Sequence, residues 1–199
     1  MEKGFEAFRK QFCDHSARQH IQINLEYMDI IFVNLILDRD KISNAHWLYF
    51  AEKDIIFNRS VEFKNWSKKM ALKDKTAICL DITCFEGDEI WKKSDKELTE
   101  ECIKSGVKTD LFKREEVIDS KVIRIKYAYP FYDLNYKNKL REVVEFIEKS
   151  GKIFCLVRTW LFKYNIADNS IEMGFELAKE LLNGKNESLF KYKIKEFSY

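Results

Sequence analysis

Apolar and polar positions alternate from Ile21 through Ile23, Leu25 and Tyr27, and the chain then turns nearly continuously apolar from Met28 to Leu37. That change predicts a long strand passing from a half-exposed stretch into a buried one, with a bulge near Met28 to Asp29 where the pattern switches. Ahead of it, Phe5, Phe8 and Phe12 recur at helical spacing with charges between them, predicting an amphipathic helix over 1–20. His46 to Phe50 and Asp54 to Phe57 flank a polar stretch and read as a hairpin; Thr76 to Cys84 and Val117 to Tyr127 read as further strands. The links between the first strands are too short for crossover helices, so antiparallel pairing is expected.

Three later helices carry their own punctuation. Ser94-Asp95-Lys96-Glu97 is a capping box, followed by Leu98 and Ile103 and closed by Gly106. Leu140, Val143, Val144 and Ile147 make an apolar stripe ending near Gly151. Ile171, Phe175, Ala178 and Leu182 make another, capped by Asp168 or Asn169 and ended near Gly184. Lys152 to Leu156 between them reads as a short buried strand. The expected fold class is α+β, an antiparallel or mixed sheet with about four helices packed on it. The expected organisation is an N-terminal helix over 1–20, an α+β domain over 21–184 and a tail over 185–199.

Composition narrows what such a domain does. The 199 residues include 35 Lys and Arg against 33 Asp and Glu, a net charge of +2, with 46% hydrophobic and 15% aromatic residues. A folded chain rather than a disordered one is implied, and the balanced charge argues against nucleic acid as the main partner. Six glycines and one proline leave no Gly-x-Gly-x-x-Gly and no Walker-type loop, so the usual backbone cradles for nucleotide phosphates are missing. Five cysteines, an odd number, and an opening Met-Glu-Lys-Gly without an apolar stretch lead to the expectation of a cytoplasmic protein. The longest apolar run is far short of the ~20 residues of a membrane span.

Metal and nucleophile chemistry fails on spacing. Cys79 and Cys84 are five apart, which on a regular strand sends their side chains to opposite faces. His15 and His20 diverge by about 140° on a helix. Neither pair, nor His46, forms a triad-like arrangement with Ser or Cys.

The run from Ile153 to Gly174 (IFCLVRTWLFKYNIADNSIEMG) resembles the C-terminal flavin-contacting segment of the FAD-dependent amine-oxidase superfamily, in its UDP-galactopyranose mutase-like and protoporphyrinogen oxidase-like branch. The pattern there is roughly Gly-Arg-x-Gly-x-Phe-x-Tyr-x-Asn-x-Asp-x-Ser. Phe57-Asn58-Arg59 with Asn65-Trp66-Ser67, Asp81 to Cys84, and Ala128-Tyr129-Pro130-Phe131-Tyr132 with Tyr136 are similar in order and spacing to that branch's substrate-side sheet. The likeness runs from about Leu25 to Leu182 and lacks the Rossmann part. It implies cofactor-side positions at Arg158, Tyr164, Asn165, Asp168 and Ser170, and substrate-side positions at Arg59, Tyr129, Tyr132 and Tyr136.

Three positions depart from the pattern. Val157 and Trp160 stand where the family has glycines that let backbone approach the flavin, and Ile166 stands where it often has Asn. The expectation is therefore a stand-alone, truncated or engineered domain that does not hold FAD by itself. The alternative is a component of an active FAD-dependent oxidoreductase or mutase whose Rossmann-type part comes from a partner chain. Among single residues, Arg158 between apolar neighbours needs a counter-charge, from Asp168 or a ligand anion. Arg124, Tyr127 and the tyrosines that follow suit a diphosphate or carboxylate, although Arg124 and Tyr127 fall on opposite faces of a regular strand. A small anionic ligand or a partner protein is the expected binding partner. No catalytic residue and no metal ligand is assigned.

Overall fold

A computed structural model of the chain describes residues 25–148, Leu156, Phe162 and residues 164–184. The predicted N-terminal helix, the Lys152 to Leu156 strand (save Leu156), Arg158 with its neighbours Val157 and Trp160, and the tail lie outside the described residues. The chain divides into two compact units, one of Tyr27–Ala128 and one to which the segments before and after it belong.

In the Tyr27–Ala128 unit, β1 (Tyr27–Leu37), β2 (Trp47–Tyr49), β3 (Arg59–Glu62), β4 (Thr76–Cys84) and β5 (Val117–Pro130, whose last residues pass out of the unit) form a five-stranded antiparallel sheet in the order β2-β3-β4-β1-β5. A short helix α1 (Glu89–Lys92) and a longer α2 (Asp95–Lys108) follow β4. Sequence order and sheet order differ because β1 pairs with β4 along its length, from Asp29 opposite Cys84 to Leu37 opposite Thr76. Period-two geometry then places Ile31, Val33 and Leu35 beside Ile82, Leu80 and Ile78 on one face. These residues are buried in one core with Phe57, with Leu98, Cys102 and Ile103 of α2, and with Leu111 and Phe112.

Several expectations shift in register. The hairpin partner of β2 is β3, with Trp47 opposite Val61 and Tyr49 opposite Arg59, rather than the Asp54 to Phe57 stretch. Ile55 and Phe57 are apolar because they plug the core from a loop. From Asp29 to Leu37 the β1–β4 ladder runs without a bulge. The irregularity sits on β5, where Tyr127 takes a left-handed φ of 56° and its N–H donates to the Asp29 carboxylate at 2.8 Å. The α2 capping box forms as expected, with Ser94 and Glu97 exchanging bonds. Gly106, however, lies inside the helix rather than ending it. A Cβ there would fall 2.3 Å from the Phe112 ring, so glycine is present for close packing and not for a turn.

In the other unit, α3 spans Tyr136–Glu148 and α4 spans Ala167–Leu182. The cap of α4 also differs from expectation. Ile166 occupies the cap position and the Asn169 side chain reaches back to its N–H. Within α4 the buried residues are Met173 and Leu177, whereas Ile171, Phe175 and Leu182 are exposed. The apolar stripe read from the sequence is thus the outer one.

Candidate functional site

Register alone brings the first candidate cluster together. Arg59 on β3 lies directly opposite Asp81 on the neighbouring β4, so their side chains share a face. Both Nε, at 2.6 Å, and Nη2 of Arg59 donate to Asp81 Oδ2, and Cys79 Sγ, two residues back on the same face, lies 3.4 Å from Oδ1. Asp81 is 2% exposed. Burial pushes its carboxyl above the usual range, and the Arg59 guanidinium partly offsets that shift. The same burial raises the Cys79 thiol strongly, with the Asp81 charge adding to it. Such a thiol stays protonated and is a poor nucleophile. An anionic ligand reaching for Arg59 competes with a carboxylate already in place.

Arg124 is drawn to the start of α2. Its Nη1 meets Asp95 Oδ1 at 2.5 Å and its Nη2 the Lys93 carbonyl at 2.7 Å. Tyr127 packs edge-on against Tyr27 with ring centres 5.9 Å apart. The other buried carboxylate of this neighbourhood, Asp29, escaped the sequence reading although an acid at the entry of an apolar strand was a visible signal. Its Oδ1 holds the left-handed Tyr127, while Oδ2 is buried without a hydrogen-bond partner. Across the ladder from it, Cys84 is pushed up to about 11, first by burial and then by the Asp29 charge.

The second cluster lies in the other unit. Tyr132 and Tyr136 meet with ring centres 4.8 Å apart, and Phe162 closes on them at 5.7 and 6.0 Å. Phe162 is buried and holds a left-handed φ of 49°. A bulky residue keeps that conformation only where its surroundings enforce it, which three packed rings do. Two of the four substrate-side residues are therefore joined by a phenylalanine of the cofactor-side run. Tyr129 is half-buried near the end of strand β5, and Arg59 belongs to the sheet cluster.

The described cofactor-side residues, Tyr164, Asn165, Asp168 and Ser170, lie at the start of α4. The Asn165 amide donates toward Met173 Sδ at 3.7 Å, the Ser170 hydroxyl donates to the Ile166 carbonyl at 3.3 Å, and Asp168 Oδ1 accepts from the Asn169 N–H at 2.9 Å. Tyr164 is exposed. As placed, these bonds of Asp168 and Ser170 serve the helix start. Among the described residues no group of three His, Cys, Asp or Glu is arranged to hold a metal ion, and no helix is long and apolar enough to cross a membrane.

No protein-family model and no curated protein sequence matches the chain. Solved structures do. A reduced UDP-galactopyranose mutase superposes with a TM-score of 0.74 at 20% identity, over 90% of this chain and 38% of that one. A protoporphyrinogen oxidase, so described from Exiguobacterium sp. 255-15, superposes with a TM-score of 0.63 at 11% identity, over 90% of this chain and 40% of that one. The chain has the fold of part of these enzymes. It spans about two fifths of the length of either, and the fold likeness falls on the two branches that the sequence motifs resemble.

Proposed function

We propose that this chain is a substrate-side domain of the kind found in FAD-dependent mutases and oxidases, one that binds a small anionic ligand or a partner protein and does not hold flavin by itself. The observation that carries this reading is the fold likeness over 90% of the chain to a UDP-galactopyranose mutase and a protoporphyrinogen oxidase. The Tyr132–Tyr136–Phe162 cluster supports it, because it joins residues of the two motif groups into one aromatic cluster.

A second reading follows from the share of the relatives' length that is matched, 38–40%. In it the chain completes a flavoenzyme whose dinucleotide-binding part is supplied in trans. The visible spectrum separates the two. Purified chain is expected to be colourless and to show no thermal shift with added FAD. A stoichiometric flavin in the purified chain overturns the first reading, and a yellow complex formed only with a dinucleotide-binding partner chain establishes the second.

A further inference from the structure

Helix α4 is apolar on two sides. Met173 and Leu177 are buried, whereas Ile171, Phe175 and Leu182 stand 60%, 74% and 88% exposed on another side, with Ala178 exposed between them. Their spacing of four, three and four residues is that of a seam along which one helix meets another. Three large apolar side chains left in water along one stripe mark an interaction surface.

The chain leaves α4 in a way that suits a return along this stripe. The Asn183 N–H donates to the Lys179 carbonyl at 3.1 Å and the Gly184 N–H to the Leu181 carbonyl at 3.1 Å, and Gly184 takes a left-handed φ of 71°. A left-handed glycine just past the last turn ends a helix and turns the chain off its axis. Residues 185–199, outside the described part of the chain, follow at once and belong to the same unit as α4. Among them Phe190, Ile194 and Phe197 recur at spacings of four and three, again the helical period. The two series mirror one another about Asn186. Leu182 and Phe190 are equally distant from it, as are Ala178 and Ile194, and Phe175 and Phe197. Two helices joined by a short connection pack antiparallel, and that arrangement sets positions equidistant from the connection side by side.

Charge decides between occupants of the stripe. Asp168, Glu172, Glu176 and Glu180 of α4 stand against the single base Lys179. Residues 185–199 carry Lys185, Lys191, Lys193 and Lys195 against Glu187 and Glu196. A second copy of the α4 face would bring an acidic helix to an acidic helix, whereas the following segment brings the opposite sign. We propose that residues 187–199 pack on α4 as an antiparallel helix, laying Phe190, Ile194 and Phe197 over Leu182, Ala178 and Phe175. The chain thereby covers its own exposed stripe, and a partner protein docking there has first to displace that segment. This contact lies within one unit and rests on neither the ligand reading nor the flavin reading above.

Hydrogen–deuterium exchange of the full chain, read over peptides of α4, tests it. Deleting residues 187–199 is expected to speed exchange within 167–182 at least tenfold and to leave β4 unchanged, β4 serving as the control for folding. Should the deletion also loosen β4, point variants of the full chain decide. Leu182→Glu and Phe190→Lys are each expected to speed exchange in α4 by on the order of tenfold, and the two together, facing one another, to return it to within about threefold of the parent. Leu182→Glu with Phe197→Lys, out of register, is expected not to do so. Exchange in α4 indifferent to the deletion, no rescue by the facing pair, or equal rescue by the mismatched pair each overturns the proposal. So does protection of α4 that rises with protein concentration together with a doubled sedimentation mass, which would make a second copy the occupant.

Discussion

Two of the three carboxylates buried in the sheet among the described residues, Asp81 and Glu62, are stabilised in different ways. Asp81, near the centre, is neutralised by one cation across a strand pair, Arg59, with a thiol beside it. Glu62, on β3 next to the edge strand, is satisfied by four donors without a formal charge, two of them backbone N–H groups. The first arrangement cross-links two strands that are already hydrogen-bonded. The second shapes a loop with no ladder of its own, which is why the more irregular segment carries the denser hydrogen bonding.

The sharpest way to break the contrast is to remove the cation. Arg59→Met leaves Asp81 buried and unpaired, and stability at neutral pH should fall by about 3–5 kcal/mol. The loss has a defined pH dependence. The folded carboxyl already lies above its unfolded value, so the stability it contributes is fully present below the unfolded value and is lost as pH rises through the folded one. Without Arg59 that shift grows. The gap in Tm between variant and parent should therefore narrow as pH is lowered toward and below the usual carboxylate range, and a gap that stays constant with pH would refute the pairing.

A truncation on the purely apolar face calibrates that result. Leu80→Ala, fully buried beside Val33, should cost about 2–5 kcal/mol with no comparable pH dependence, as read by denaturant melts at two pH values. At the loop, Glu62→Gln replaces an acceptor oxygen by an N–H₂ facing donors, and a loss of about 1.5–3 kcal/mol is expected. Amide exchange of Ile42 and Ser43 should accelerate in that variant more than exchange in β4; uniform acceleration would mean that Glu62 does not hold the loop locally. Smallest is the exposed capping carboxylate arrangement. Ser94→Ala should cost about 1 kcal/mol, and a change above ~2 kcal/mol would show that Ser94 does more than cap α2.

The candidate clusters were legible to different degrees. Tyr132 and Tyr136 stood out in the sequence and are packed together, but their third member, Phe162, comes from a run 26 residues after Tyr136, a pairing no local pattern predicts. Arg59 stood out as a substrate-side position of the resemblance, while its partner Asp81 depends on the register between two strands separated by a long loop. The Glu62 network was not read at all. Its donors are mostly backbone groups, and those leave no mark in a sequence.

What the chain determined by itself is what local physics enforces. The span of β4, the capping box at Ser94 and the helical stretches of α2, α3 and α4 follow from periodicity, caps and propensity acting within a few residues. Tertiary structure decided the choices that local signals leave equal. Apolar Asp54 to Phe57 became a core plug rather than a strand, because β3 took the place beside β2. Gly106 became a packing site because the Phe112 ring lies against it. In α4, Ile171, Phe175 and Leu182 form as good a helical stripe as Met173 and Leu177, and only tertiary packing, absent from any local window, selected which side is buried.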